Sequence, residues 1–259
     1  MRMASRIGVV IAVGLIASAA HADHHGMAMM GAADEPTEFD ASVNLVAASY
    51  NTLTEAGDYE GILPSVGWRH DRYGVGASMG LYRIMLNGLD ERGIGDLMVH
   101  ADATVYSHEH TTAGVMMMVS VPTGEEIYGL GMGHPMVMPS LYGTWSAGRV
   151  TVNASAGFSR AIAQMEAGHD HGVWPLVEPM NMSEISWGAG CDVALGSGVH
   201  GTVRAGGGIP VGLIGHERVI GAARVGWGSG RVDTAVEVQT GLVGDPFTIR
   251  GLVETALHF

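Results

Sequence analysis

The sequence predicts an all-β chain folded as a transmembrane antiparallel β-barrel of about twelve strands, a number that suits tilted strands of about ten residues crossing a bilayer. Three observations carry that prediction. Apolar side chains keep one parity and polar ones the other through window after window, as strands with one face in an apolar medium require. Charged residues make up only 15% of the 259 residues, with Gly at 40 and mean hydropathy at +0.21. That charge content lies well below the roughly 25% of an ordinary soluble domain. Connections between windows alternate between short and long, the habit of outer-membrane barrels. After residue 22 no apolar run reaches the ~18 residues of a spanning helix, and a membrane chain without such helices must close its sheet to satisfy its backbone.

The elements follow in order. Arg2 and Arg6 precede the apolar run IGVVIAVGLIASAA and then Ala20-His21-Ala22, the n-region, h-region and small-residue site of a secretory signal peptide over residues 1–22. Residues 23–40, DHHGMAMMGAADEPTEFD, have no periodicity and read as a flexible tail. Residues 41–259 carry the barrel pattern. Weaker strand windows lie at 41–51, 60–69, 73–84, 112–122 and 136–147.

The clear windows are sharper. Leu97, Val99, Ala101, Ala103 and Val105 oppose Asp96, His100, Asp102 and Thr104. Val150 to Phe158 alternates with Thr151, Asn153 and Ser155, and Ile185 to Leu195 with Ser186 and Asp192. Val199, Val203 and Ala205 oppose His200, Thr202 and Arg204; Val219 to Trp227 oppose Arg218, Ala222 and Arg224. Val232, Thr234, Val236 and Val238 oppose Arg231, Asp233, Glu237 and Gln239. In the last window Phe247, Ile249, Val253, Leu257 and Phe259 form the lipid face, against Arg250, Glu254 and His258. HDR, SHEHTT, SAGR, GSG and GSGR form the short turns; GEEIYGLGMGHP and AQMEAGHDHGVWPLVEPMNM are long loops. An even strand count puts both termini in the periplasm. A soluble β-sandwich is the alternative, and it leaves unexplained why charges in the clear windows share a face. Two off-parity arginines, Arg83 and Arg160, fall at strand ends on the loop side, where they would reach lipid phosphates.

The block from Gly93 to Arg160 resembles the outer-membrane proteins grouped with the meta-pathway of phenol degradation. The matching elements are the GIGD strand start at Gly93–Asp96, the PTG strand end at Pro122–Gly124, the Gly-rich loop at Gly129–Gly133, and the hairpin over Met136–Arg160. The resemblance implies an outer-membrane barrel; separately, the terminal Phe259 resembles the C-terminal aromatic signal of outer-membrane barrels that the barrel-assembly machinery reads. The family resemblance covers about a third of the chain, by motif rather than by any substrate-defining residue.

The inward parity set is the candidate functional surface: Asp96, His100, Asp102, His200, Arg204, Arg218, Arg224, Glu237, Arg250 and Glu254. Mixed-sign charge lining a hydrated lumen selects among small solutes. The same residues could instead pair and plug a narrow barrel. With the carboxylates Asp96 and Asp102 early in the strand order and most arginines late, opposed placement would set a transverse field. A metal-associated barrel is the runner-up. His24, His25, Met27, Met29 and Met30 in the tail, and His169 and His171 in a long loop, offer imidazoles and thioethers that suit copper or a similar transition metal. Of Met116, Met117 and Met118, Met117 has lipid-facing parity and its neighbours face the lumen. Apart from that metal, no cofactor is expected.

Net charge is −13 and every one of the 13 basic residues is arginine, a balance ill suited to phosphate-rich nucleic acid. Expected partners are lipid and a small solute. No catalytic set is expected: the outward faces place no His beside a Ser, and Glu125 and Glu126 are adjacent on a loop. The lone Cys191 has lipid-facing parity and forms no intrachain disulfide.

Overall fold

The computed structural model describes residues 37–51, 56–86, 88–162, 177, 180–212, 215–244 and 247–259. The strand segments are β1 (Glu38–Asn51), β2 (Ala56–His70), β3 (Tyr73–Ser78), β4 (Leu81–Leu86), β5 (Leu89–Ile94), β6 (Leu97–His108) and β7 (Thr111–Val121). They continue as β8 (Met136–Ala147), β9 (Val150–Ala161), β10 (Ser183–Gly196), β11 (Val199–Pro210), β12 (Arg218–Ser229), β13 (Val232–Val243) and β14 (Phe247–His258).

All pair antiparallel with chain neighbours, and β1 pairs with both β2 and β14, so the sheet closes on itself. The 14 segments make 12 wall positions. β2 pairs with β3 through Ser65–His70 and with β4 through Gly57–Ile62, so β3 and β4 are two halves of one crossing. β5 pairs with β4 and β6 with β3, so they likewise form one crossing, broken at Gly95–Asp96. The Gly95 amide donates to the Gly80 carbonyl at 2.8 Å and bridges the break. The fold class read from the sequence is therefore the observed one.

Both ends of the barrel are distinct. At the turn end, hairpins close through two residues. Ser197 and Gly198 both have positive φ, 54° and 77°, as a type I′ turn with the twist of its flanking strands requires. A Cβ on Gly198 would lie 2.3 Å from the Gly228 carbonyl oxygen, so glycine is needed twice over. SHEHTT is almost all strand, with only Glu109–His110 turning, and Arg231 lies in the Gly230–Arg231 turn rather than on the inward wall. The long connections gather at the loop end.

The outer surface is an apolar belt. Val43, Val99, Val115, Met117, Leu141, Val203, Val225, Val236 and Val238 all stand exposed in mid-strand. Met117 faces outward and Met118 inward, as parity indicated. Phe39, Trp68, Tyr73, Tyr106, Trp145, Trp227 and Phe259 form an exposed aromatic girdle at the turn end. Phe39 and Phe259 sit with ring centroids 6.0 Å apart, and the Phe259 amide donates to the Phe39 carbonyl at 2.8 Å. Among the described residues, Phe158 is the exposed aromatic near the loop end.

One outward assignment changes side and another changes partners. A register shift against β1 at Ser49/Tyr50 displaces Thr248, so Phe247 turns inward and is 1% exposed, not lipid-facing. Arg83 does point outward, but to carboxylates rather than to free lipid headgroups. Its guanidinium donates to Asp90 at 2.6 and 2.8 Å and to Glu60 at 3.1 Å. Here Ile62, Leu81 and Ile94 form one cross-strand row, and Glu60, Arg83 and Arg92 the next row toward the loop end. The apolar belt ends between those rows, so outward charge there meets water.

Candidate functional site

The candidate site is the barrel interior, which differs between its two halves. The loop-end half is filled. One cluster joins Val46, Ala48, Tyr50, Tyr59, Leu63, Tyr82, Ile84, Ile220, Phe247 and Leu252 from the wall to Leu130 and Val177 from the connections. A second consists of methionines: Met98, Met118, Met136 and Met138 from β6–β8, and Met132 and Met180 from the connections, with Met116 and Met182 packed against them. Two loop segments therefore reach into the mouth and seat apolar side chains on both clusters.

Each segment is clasped by an inward carboxylate. Asp96, 3% exposed in the β5/β6 break, accepts hydrogen bonds from the Gly124 amide at 3.0 Å and the Met132 amide at 2.9 Å. Ser120 Oγ donates to it at 3.4 Å. The Thr123 hydroxyl donates to the Gly95 carbonyl at 2.8 Å and accepts from the Leu97 amide at 2.9 Å, locking the PTG corner against the same break. Glu184 does the corresponding work across the mouth. Asn181 donates to it from Nδ2 at 2.6 Å and from its backbone at 3.2 Å, and Arg218 Nη2 donates to both its oxygens at 2.8 and 3.1 Å. Asn181 also exchanges hydrogen bonds with the His216 backbone, tying a further connection in.

Below the clasps runs a charged wall. Arg204 donates to Glu237 at 2.7 Å, Gln239 Nε2 to the same oxygen at 2.5 Å, and Arg250 Nε to Gln239 Oε1 at 2.6 Å. The Arg250 guanidinium lies 4.3 Å over the Phe247 ring, a cation–π contact. Arg224 is ion-paired with Glu254, and Arg69 Nη2 donates to both oxygens of Asp102 at 3.0 Å. Arg204, Arg224 and Arg69 each face a carboxylate on a nearby strand. These charges are thus paired locally, and Asp102 is paired with Arg69 rather than standing opposed to the arginines of the later strands. Exposure grades with depth: Glu237 and Arg250 are buried, whereas Arg224 and Glu254 are 22% and 21% exposed.

The turn-end half is polar. Asp192 accepts from Asn153 at 2.9 Å and Thr202 at 2.5 Å, and His258 meets Asp233 at 2.9 Å. His100 and His200 lie flat against glycines: a Cβ at Gly76 would be 2.4 Å from the His100 ring, and one at Gly226 2.3 Å from the His200 ring. Glycine in these inward strand positions lets a neighbour's long side chain lie along the wall.

The ten inward residues read from the sequence stand on the interior side of their strands: eight are held in pairs and small networks rather than in one centre, and His100 and His200 lie against glycines. Sequence reasoning missed Glu184, Arg69, Tyr59 and the methionine cluster. Parity would have found Glu184, two before Ser186, and Arg69, two after Gly67. His24, His25, Met27, Met29, Met30, His169 and His171 lie outside the described residues. Among the described residues, no three His, Cys, Asp or Glu side chains converge as metal ligands.

No family model matches the chain, and no curated protein matches it in sequence. Solved structures do match in shape. The COG4313 outer membrane channel from Pseudomonas putida F1 superposes with TM-score 0.63 at 12% identity, over 88% of this chain and 97% of that one. The KdgM porin gives TM-score 0.55 at 9% identity, covering 84% and 99%. The translocator domain of the autotransporter NalP from Neisseria meningitidis gives 0.56 at 10%, covering 87% and 88%. Identities this low carry the architecture alone: the chain has the fold of an outer-membrane β-barrel, lined by an interior of its own.

Proposed function

We propose that the chain is an outer-membrane channel through which a small solute crosses passively, with its turn end in the periplasm. The observation that carries this reading is the composition of the interior. A polar, partly exposed turn-end half leads to a mouth into which loop segments reach, held through Asp96 and Glu184. Loops held by a few hydrogen bonds and apolar contacts can open without unfolding the wall. The apolar belt and the likeness to a channel and a porin support the membrane setting and favour transport over catalysis.

Carboxylates predominate on the described inward wall, with Asp96, Asp102, Glu184, Asp192, Asp233, Glu237 and Glu254 against Arg69, Arg204, Arg218, Arg224 and Arg250. Such a lumen favours cations weakly. Single-channel recording of the folded protein in a planar bilayer is expected to give small, cation-preferring steps. Glu254→Gln, which leaves Arg224 without its carboxylate, should lower the cation preference; charge reversal at Arg224 should raise it. A second reading, a plugged structural barrel, is favoured by the buried Arg204–Glu237–Gln239–Arg250 network. Silence from correctly folded protein would decide for it.

A further inference from the structure

The two buried clusters at the mouth are about equally deep, yet chemically segregated. The first contains aliphatic and aromatic residues and no methionine among its described members. The second contains methionine as its only fully buried residue type. Methionine commonly fills irregular gaps in cores. Filling alone would scatter it through both clusters, which share the same half of the same barrel.

The methionine side also holds a cavity. Met116, Met118 and Met138 line a space of about 10 Å³, together with the hydroxyl-bearing Ser140, Ser155 and Ser186 and with Gly157. That is room for roughly one water or one ion, and for no organic molecule. Met118 and Met138 are direct cross-strand partners, and Met116 is one inward position further along β7, opposite Asp102. Three thioethers around an ion-sized space, with three serines beside them, are a soft neutral donor set. Thioether sulfur selects Cu(I)-like ions and is a poor ligand for hard divalent cations.

We propose that this cavity is a binding site for a soft monovalent cation, Cu(I) or Ag(I), held by the sulfurs of Met116, Met118 and Met138. The site needs no open pore, so it stands or falls independently of conduction. Met132 and Met180 extend the thioether surface from the cavity to the connections at the mouth.

Titration of the folded full-length chain in detergent with silver nitrate, in chloride-free buffer, tests the proposal. Ag(I) is redox-inert here and avoids the need for a reductant. Replacing Met116, Met118 and Met138 together by leucine, a swap that nearly conserves volume, should remove one Ag(I) per chain. His24, His25, Met27, Met29 and Met30 remain in every variant, so their contribution cancels in the difference. Met118→Leu and Met138→Leu singly should each weaken that site about tenfold, and they decide the matter if the triple variant does not fold. Zn(II) binding should be the same in all. Unchanged Ag(I) stoichiometry and affinity in the triple variant, or in both singles, overturns the proposal and leaves the methionines as packing.

Discussion

At the scale of single residues, burial decides what an ion pair does. Arg218 and Glu184 are 6% and 3% exposed, so truncating one partner strands the other's charge away from water. Arg218→Ala is expected to destabilise the folded barrel by about 3–5 kcal/mol. Arg224→Ala, in a pair 22% and 21% exposed, should cost clearly less. Urea-unfolding midpoints in detergent, compared side by side, check the ordering. Parity in the sequence placed both arginines inward, because a strand's alternation is local. It could not give depth, since how deeply Glu184 is buried depends on Asn181 and on a connection some thirty residues further along the chain. Phe247 shows the opposite failure. One displaced residue, Thr248, turned its ring from the lipid side to the Arg250 side, and bulges leave little mark on an apolar pattern.

Among the elements, the broken crossing formed by β5 and β6 matters most. Its break puts Asp96 where two loop amides can reach it, so the GIGD motif is a structural corner and a clasp together. Asp96→Ala removes the acceptor for Gly124 and Met132. Limited proteolysis should then cut within residues 122–135 faster than in the parent chain, and channel openings should become more frequent. Equal cleavage would show that the Thr123 contacts alone hold the corner. The sequence read a strand beginning at this motif and missed β5 before it. LDERGI carries three charges in succession and has no apolar face. It needs little of one, because only Ile94 reaches the last row of the apolar belt, and its other outward residues, Arg92 and Asp90, stand beyond the belt beside Arg83 and Glu60. The periodicity that reveals a strand comes from the medium it crosses, and β5 leaves that medium.

For the whole molecule, the decisive property is one closed wall with an apolar outside. Arginine placed outward at Val236, in the middle of β13, should cost about 2–4 kcal/mol, and at Leu257, near the rim, about 0–1 kcal/mol. Reversible folding into lipid vesicles measures both. Equal costs at the two depths would mean that this surface does not face a bilayer. Closure, strand number and facing were legible in the sequence because they follow from repetition: alternation and turn spacing recur along some two hundred residues. The filling of the mouth was not legible. It arises where Leu130, Met132, Val177 and Met180 arrive from connections whose course no period encodes.

The aromatic girdle has a consequence of its own. Indole, phenol and phenyl groups prefer the headgroup boundary, and here the described ones gather almost wholly at the turn end, from Phe39 and Trp68 round to Trp227 and Phe259. Among the described residues the barrel is moored mainly at that waterline, with Phe158 and Trp187 on the other side. Where a bilayer thickens or thins, the turn-end boundary keeps its place against those rings. The adjustment falls on the other side, along the line between Ile62–Leu81–Ile94 and Glu60–Arg83–Arg92. The clasped loops stand at that side, so the height of the surrounding lipid reaches the part of the molecule that would have to move.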